Sequence, residues 1–236
     1  IDNTGGTIRA EANSTFRMQT NASISNGSLT TTGSGTIKFN DGDNAYLTNT
    51  TTFGNLRLGA GAYLHTITSW VNNGTLTFEA NAGNSRLRTN GADLSITGTG
   101  TIDMTEGGII DGGARVTFGS GQTIIGKGNI GANGIAITNG GLINANVSGQ
   151  TLTLDPANAA NFNTGLMLAS GGGTLAFTGN GAGAIDNTGG TVRADANSTF
   201  LMQANASLLN GSLSTTGSGT IKFNDGDNAY LTNTTT

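Results

Sequence analysis

The segment IDNTGGTIRAEANSTFRM, residues 1–18, contains two short runs in which apolar and polar residues alternate, separated by a polar turn. The first run follows the Gly-Thr pair at residues 6–7, and the second is TFRM at residues 15–18. Alternation with a period of two places apolar side chains on one side of an extended chain and polar ones on the other. The segment therefore predicts two strands of about four residues joined by a tight turn.

The first run belongs to a unit, Gly-Thr-apolar-x-apolar, that recurs along the chain. Strands this short are unstable as isolated hairpins, but they become stable when each stacks on the equivalent strand of a neighbouring coil. The pattern therefore predicts an all-β chain wound as a right-handed parallel β-helix (β-solenoid) with coils of roughly 20 residues. Irregular coil lengths are expected, because the first four units follow one another at unequal intervals. The units begin at Gly6, Gly35, Gly74, Gly100, Gly173, Gly190 and Gly219.

Two other all-β folds, the β-sandwich and the β-propeller, fit this pattern less well. Sandwich strands are longer and are joined by hairpins. Propeller blades repeat every 40–50 residues or so, and no repeat of that length is visible.

A much longer repeat spans most of the chain. The sequence of residues 1–52 returns at residues 185–236, with seven differences between the copies. We interpret residues 1–184 as one full unit of the solenoid and residues 185–236 as the start of the next copy, continuous with the same solenoid. Such close copying indicates an array of stacked units, whose function depends on length and surface rather than on a pocket.

Composition excludes several classes of partner and site. The chain has 40 glycines, one proline and no cysteine, and 10% of its residues are charged. A net charge of −4 without a basic cluster argues against nucleic acid as a partner. No apolar run approaches the ~18 residues that a membrane-spanning helix needs, so no membrane insertion is expected. Without cysteine there are no disulfides and no thiolate metal sites.

Two segments, GLINANVSGQTLTLDP at residues 141–156 and IDNTGGTI at residues 1–8, resemble a known family. They are similar to segments of giant bacterial surface and secreted proteins, the filamentous-haemagglutinin-like and autotransporter-type β-helical repeat adhesins. Nearly the whole chain shares the general sequence character of these proteins. The shared motifs mark a repeat architecture rather than an activity. It implies export to the cell surface or medium, a long right-handed β-helix, and a role in adhesion or matrix building.

The expected function is a structural and adhesive repeat module of a bacterial extracellular filament, biofilm-matrix fibre or giant surface adhesin. The expected partners are other copies, joined laterally or end to end through uncapped coil edges, and polysaccharides or other cell surfaces. Two alternatives stay open: a passive stalk that displays an adhesive tip, and a carbohydrate-binding or carbohydrate-cleaving β-helix protein.

Enzymatic activity is not expected. Pectinase-like β-helix enzymes concentrate carboxylates on one outward face, whereas the acidic residues here are dispersed along the chain. His65 is the only histidine, so neither a nucleophile with its base nor a zinc site is predicted.

No cofactor is expected, with calcium as the one candidate ion. The only close pair of carboxylates lies in an Asp-Gly-Asp-Asn segment that occurs in both copies. Two carboxylates and an amide oxygen on a tight loop suit a hard cation such as Ca²⁺. An Asx-rich turn leading into the next strand is the other interpretation. The candidate ligands are Asp41, Asp43 and Asn44, with Asp225, Asp227 and Asn228 in the second copy.

Asn-Gly pairs are expected to form many of the turns, because Asn and Gly adopt positive φ at low steric cost. Asn side chains at successive turns are also expected to stack their amides along the solenoid. The turn or ladder candidates are Asn26, Asn73, Asn90, Asn133, Asn139, Asn180 and Asn210.

Two differences between the copies introduce leucine where a polar side chain stood. Leu201 replaces Arg17 at a position that strand alternation predicts to face outward, and Leu209 replaces Ser25 at an outward or turn position. Because exposed leucines often mark a contact, both are candidates for lateral packing between rods. Local cover by the chain's own loops is the alternative.

Overall fold

The computed structural model of the chain, which describes residues 1–80, 84–179 and 183–236, is all-β and contains no helix in those residues. Its parallel strands stack as a solenoid of about ten turns, which confirms the predicted β-solenoid. Most strands are as short as the alternating runs predicted. The strands are β1 (Thr7–Ala10), β2 (Thr15–Met18), β3 (Ala22–Ser25), β4 (Ser28–Thr31), β5 (Thr36–Phe39), β6 (Asn44–Phe53), β7 (Asn55–Leu58), β8 (Tyr63–Asn72), β9 (Thr75–Phe78), β10 (Arg86–Arg88), β11 (Leu94–Thr97), β12 (Thr101–Met104), β13 (Ile109–Asp111), β14 (Arg115–Phe118), β15 (Thr123–Gly126), β16 (Gly128–Ile130), β17 (Ala136–Asn139), β18 (Leu142–Ala145), β19 (Thr151–Leu154), β20 (Asn161–Asn163), β21 (Leu166–Ala169), β22 (Thr174–Thr178), β23 (Ile185–Asp186), β24 (Thr191–Ala194), β25 (Thr199–Gln203), β26 (Ser207–Leu209), β27 (Ser212–Thr215), β28 (Thr220–Phe223) and β29 (Tyr230–Thr232).

Successive strands lie on three faces, which we name face I, face II and face III in the order in which the chain visits them. Face I consists of β1, β4, the end of β6, the end of β8, β11, β14, β17, β20, β23, β26 and β29. Face II consists of β2, β5, β7, β9, β12, β15, β18, β21, β24 and β27. Face III consists of β3, the start of β6, the start of β8, β10, β13, β16, β19, β22, β25 and β28.

The interior is built from columns of apolar side chains, one side chain from each turn. On face II, Leu56, Leu76, Ile102, Ile124 and Ile143 are register partners in successive turns. All five are fully buried. Burying an aliphatic side chain of this size stabilises the fold by about 1.5–3 kcal/mol. Since neighbouring turns provide that burial, stability depends on stacking between coils.

Coil length varies, which confirms the predicted irregularity. On face II, Ile37 pairs with Leu56 and Thr75 pairs with Thr101, so the second of these coils is the longer. The spacing of the Gly-Thr units is not itself the coil length, however. The unit at residues 6–10 forms a strand on face I and the next one, at residues 35–39, a strand on face II. The interval between these two units therefore covers one coil and part of another.

The corner between faces III and I differs from the others in two turns. Strands β6 and β8 each have 10 residues and continue through this corner. Asn49 and Thr68 form the bend with positive φ of 51° and 68°. As a result, faces I and III join into one 19-stranded sheet, while face II is a separate 10-stranded sheet.

Candidate interaction surface

An unusual column of outward side chains runs along face III. Tyr46, His65, Arg88 and Asp111 are register partners in four successive turns. The rings of Tyr46 and His65 stack with their centroids 4.6 Å apart and their planes 17° from parallel. The spacing of hydrogen-bonded strands, about 4.8 Å, brings the rings into this contact. We call Tyr46, Tyr63, His65, Arg86, Arg88 and Asp111 the face III cluster.

Arginines connect this column to Tyr63. The guanidinium carbons of Arg86 and Arg88 lie 5.8 and 5.6 Å from the centroid of the Tyr63 ring, within the range of cation–π attraction. Both arginines also pair with Asp111, and Nε of Arg88 lies 2.8 Å from its Oδ1. The Asp111 side chain is only 7% exposed. Two cations and one anion give the cluster a surplus positive charge.

His65 is partly buried within the cluster. Burial lowers its pKa below the ordinary value, and the positive charge of Arg88 acts in the same direction. Contact with Asn90 and the negative charge of Asp111 oppose the shift without reversing it. The folded state therefore favours neutral histidine, because protonation would place a charge in a partly buried site and beside the Arg88 cation.

This shift predicts how stability depends on pH. Below the ordinary histidine pKa of 6.5, His65 binds a proton more readily in the unfolded chain than in the folded one. The contribution of His65 to the free energy of unfolding is therefore complete above pH 6.5 and is lost as the pH falls through its lower folded-state pKa. Urea unfolding over a pH series, followed by circular dichroism, measures this loss.

His65→Phe provides the matched control for the pH series. Phenylalanine keeps a ring that can stack on Tyr46 but has no titrating group. We expect the variant to lose less stability than the wild type over the acidic part of the series. Equal losses in both proteins would show that His65 does not carry the effect.

Two clefts lie on the outer surface of the solenoid. The first, of ≈230 Å³, adjoins the face III cluster and is smaller than most small-molecule pockets, which have about 300–1,000 Å³. The second, of ≈360 Å³, lies near the corner between faces II and III, and its charged lining groups are Glu106 and Lys127. The first cleft is lined by His65, Arg88, Asn90, Gly91, Gly112 and Gly113.

The Asp-Gly-Asp-Asn segment forms a turn between β5 and β6. The Asp43 carboxylate accepts hydrogen bonds from Asn40 Nδ2 at 3.2 Å and Thr20 Oγ1 at 3.3 Å. Asp41 instead pairs with Lys38, with 3.0 Å between Oδ1 and Nζ. Asn44 is the first residue of β6. The two carboxylates thus contact different protein groups, an arrangement that suits an Asx-rich turn.

The second copy of this turn is similar. Asn224 Nδ2 donates to Asp227 Oδ2 at 2.9 Å, which lowers the pKa of Asp227. Asp225 and Asn228 are exposed. In the part of the chain that the structure describes, no group of three or more His, Cys, Asp and Glu residues is arranged to hold a metal ion.

The turn asparagines do not all have the same conformation. Asn26, Asn90, Asn133 and Asn210 have φ between 40° and 65°, the left-handed conformation suited to a tight turn. The amides of Asn26 and Asn210 also donate to Asp2 and Asp186, respectively, in the preceding turn. Asn73 does not have positive φ; its Oδ1 accepts a hydrogen bond from the backbone of Thr99 at 3.2 Å. Asn180 lies outside the described residues.

Asn139 differs from the expected turn residue, because it ends strand β17 and is fully buried. Its Nδ2 donates to Asn163 Oδ1 at 2.8 Å, and Asn163 Nδ2 donates to Asn187 Oδ1 at 2.6 Å. Asn163 and Asn187 are not followed by glycine and so lie outside the Asn-Gly pattern, yet they form a buried amide ladder with Asn139. Their common spacing of 24 residues is the signal that could have found them.

The two leucines lie on different faces. Leu201 is on face III between Ala176 and Lys222, whereas Leu209 is on face I at the end of β26. Both are partly buried. Ala176, the outward neighbour of Leu201, is only 1% exposed, in keeping with local cover. A single lateral contact through both leucines would have to include a corner of the rod.

Comparison with known proteins finds a similarity to one solved structure. No family model matches the chain, and no curated protein matches it. Among solved structures, it is similar to the crystal structure of a TibC-catalysed, hyper-glycosylated TibA fragment. Their sequences are 15% identical, the match covers 97% of this chain and 98% of that one, and the TM-score is 0.31. Among the residues described here, no helix has the length and apolar character needed to cross a membrane.

Proposed function

We propose that this chain is a structural and adhesive repeat module of a bacterial extracellular filament, biofilm-matrix fibre or surface adhesin, with residues 1–184 as one unit of a longer rod. The burial of apolar side chains between neighbouring coils carries this proposal. Phe39, Leu58 and Phe78 are register partners in three successive turns, and each is at most 1% exposed.

Leu58 is covered by Phe39 of one neighbouring turn and by Phe78 of the other. Burial of this kind stabilises the fold by about 1.5–3 kcal/mol for each side chain. The strands of neighbouring turns are also joined by backbone hydrogen bonds. Each added coil thus stabilises the one before it, which is the property a filament requires.

The sides of the rod supply the adhesive part of the proposal. The face III cluster combines tyrosine rings with guanidinium groups, residue types enriched where proteins contact partners. We propose polysaccharides or other cell surfaces as partners of the sides, and other copies as partners of the coil edges. The low charge of the chain weakens long-range repulsion between copies.

Tandem chains with one, two and four copies of residues 1–184 test the proposal. Small-angle X-ray scattering should show rods of constant cross-section that lengthen by about 40 Å per unit, since about eight turns are stacked at about 4.8 Å. Retention on immobilised polysaccharide should increase with unit number. Arg86→Ala, compared with Arg57→Ala at an exposed arginine on face II, tests whether the face III cluster mediates retention. Particles that become rounder instead of longer would refute the module.

A further inference from the structure

The two copies of the repeated sequence lie on different faces of the solenoid. Residues 7–10 form β1 on face I, whereas their counterparts, residues 191–194, form β24 on face II. Residues 15–18 form β2 on face II, whereas residues 199–202 lie in β25 on face III. The third strand moves in the same direction, since β3 is on face III and its counterpart β26 on face I.

The number of strands in one unit explains this shift by one face, which we call the step. From β1 to β24 the chain moves from one face to the next 25 times, because β6 and β8 each cover two faces. Twenty-five moves amount to eight complete turns and one additional face. The second copy of the sequence therefore begins one face further round the solenoid than the first copy did.

The interior accepts the repeated sequence equally well on either face. Leu29 on face I is 0% exposed, and its counterpart Leu213 on face II is 2% exposed. Met18 on face II and Met202 on face III are 1% and 0% exposed. The columns inside all three faces are apolar. The inward side chains of the repeated segment can therefore be buried on any of the three faces. Its outward side chains consequently point in a new direction in the second copy.

We propose that each unit, from residue 1 to residue 184, turns the surface it carries by one face, so that a tandem array presents the same side chains in three directions in succession. This inference rests on the proposed array. The first direction returns after three units, or about 120 Å. A polysaccharide surface would meet the face III cluster from whichever side it approaches. The step thus converts one binding surface per unit into multivalent display around the rod.

Cysteine pairs test the step in the chain itself, which has no native cysteine. Thr174 and Thr199 are register partners on face III. Without the step, Thr199 would lie on face II, as its counterpart Thr15 does, beside Leu166 of β21. The test compares Thr174→Cys/Thr199→Cys with Leu166→Cys/Thr199→Cys. Thr15→Cys/Thr36→Cys, a register pair in the first copy, calibrates the reaction.

Dibromobimane, which fluoresces when it bridges two thiols, is the probe. The Thr174/Thr199 pair should reach the fluorescence yield of the calibrating pair, while the Leu166/Thr199 pair should stay at the single-cysteine level. The reverse result would overturn the step, and so would a failure of both pairs while the calibrating pair reacts. Rod length in tandem chains is independent of these yields, so the array and the step can fail separately.

Discussion

Replacing Trp70 with alanine is expected to lower the free energy of unfolding by about 3–5 kcal/mol, the usual cost of truncating a large buried aromatic residue. Trp70 is fully buried and lies inside face I between Thr50 and Ile96 of the neighbouring turns. Its Nε1 donates a hydrogen bond to Thr52 Oγ1 at 2.9 Å. Truncation therefore creates a cavity and removes a buried hydrogen bond. The cavity persists because the adjacent coils are hydrogen-bonded to each other and cannot move together to fill it.

Two controls separate the cavity from other effects. Trp70→Phe keeps most of the buried volume and loses the indole donor, so it should cost clearly less than alanine. Phe53→Ala removes an aromatic residue that is 43% exposed on the same face and should cost less than either change at Trp70. Urea unfolding followed by circular dichroism measures all three. A Trp70→Ala protein as stable as the wild type would show that the column is not packed as described.

Replacing Asn163 with leucine is expected to be the second most destabilising of the changes considered, at about 2–5 kcal/mol, because it breaks two buried hydrogen bonds at once. Asn163 is the central member of the buried amide ladder. Leucine would leave one N–H of Asn139 Nδ2 and the Oδ1 acceptor of Asn187 without the Asn163 amide, while Asn139 Nδ2 would still donate to Gly141 O. Each buried polar group deprived of its partner costs about 1–3 kcal/mol. The leucine side chain, although apolar, would not compensate for both.

Asn144→Leu is the matched control for the ladder. Asn144 lies nearby on the outward side of face II, is partly exposed, and accepts one hydrogen bond from Ser170 Oγ at 2.9 Å. Its loss should cost about 1 kcal/mol or less, because water can replace the hydrogen bond. If the two leucine substitutions cost the same in thermal unfolding experiments, the ladder does not stabilise the interior.

Local features of the fold could be predicted because they depend on neighbouring residues. The alternation at residues 15–18 predicts both the strand β2 and the outward direction of Arg17, and the structure contains both. The short strands and the absence of long helical patterns then leave stacking between coils as the way to bury apolar side chains. Alternation and short strands are therefore sufficient to predict the solenoid.

The face on which a strand lies could not be predicted in the same way. It depends on the sum of all preceding corner and loop lengths, and the coil from Ile37 to Leu56 is shorter than the coil from Thr75 to Thr101. Strand alternation therefore placed Leu201 on the outside but did not reveal that Leu209 lies on another face. The amide ladder was missed for a related reason. The regular spacing of its members becomes meaningful only once the local coil length is known.

The central claim is that this chain is a stack of parallel coils, and a crystal structure of residues 1–236 tests it most directly. We predict Leu76 directly between Leu56 and Ile102 on adjacent parallel strands, with about 4.8 Å between successive turns along one axis. Antiparallel hairpins, with Leu56 and Leu76 on unconnected strands, would contradict the solenoid and every function derived from it.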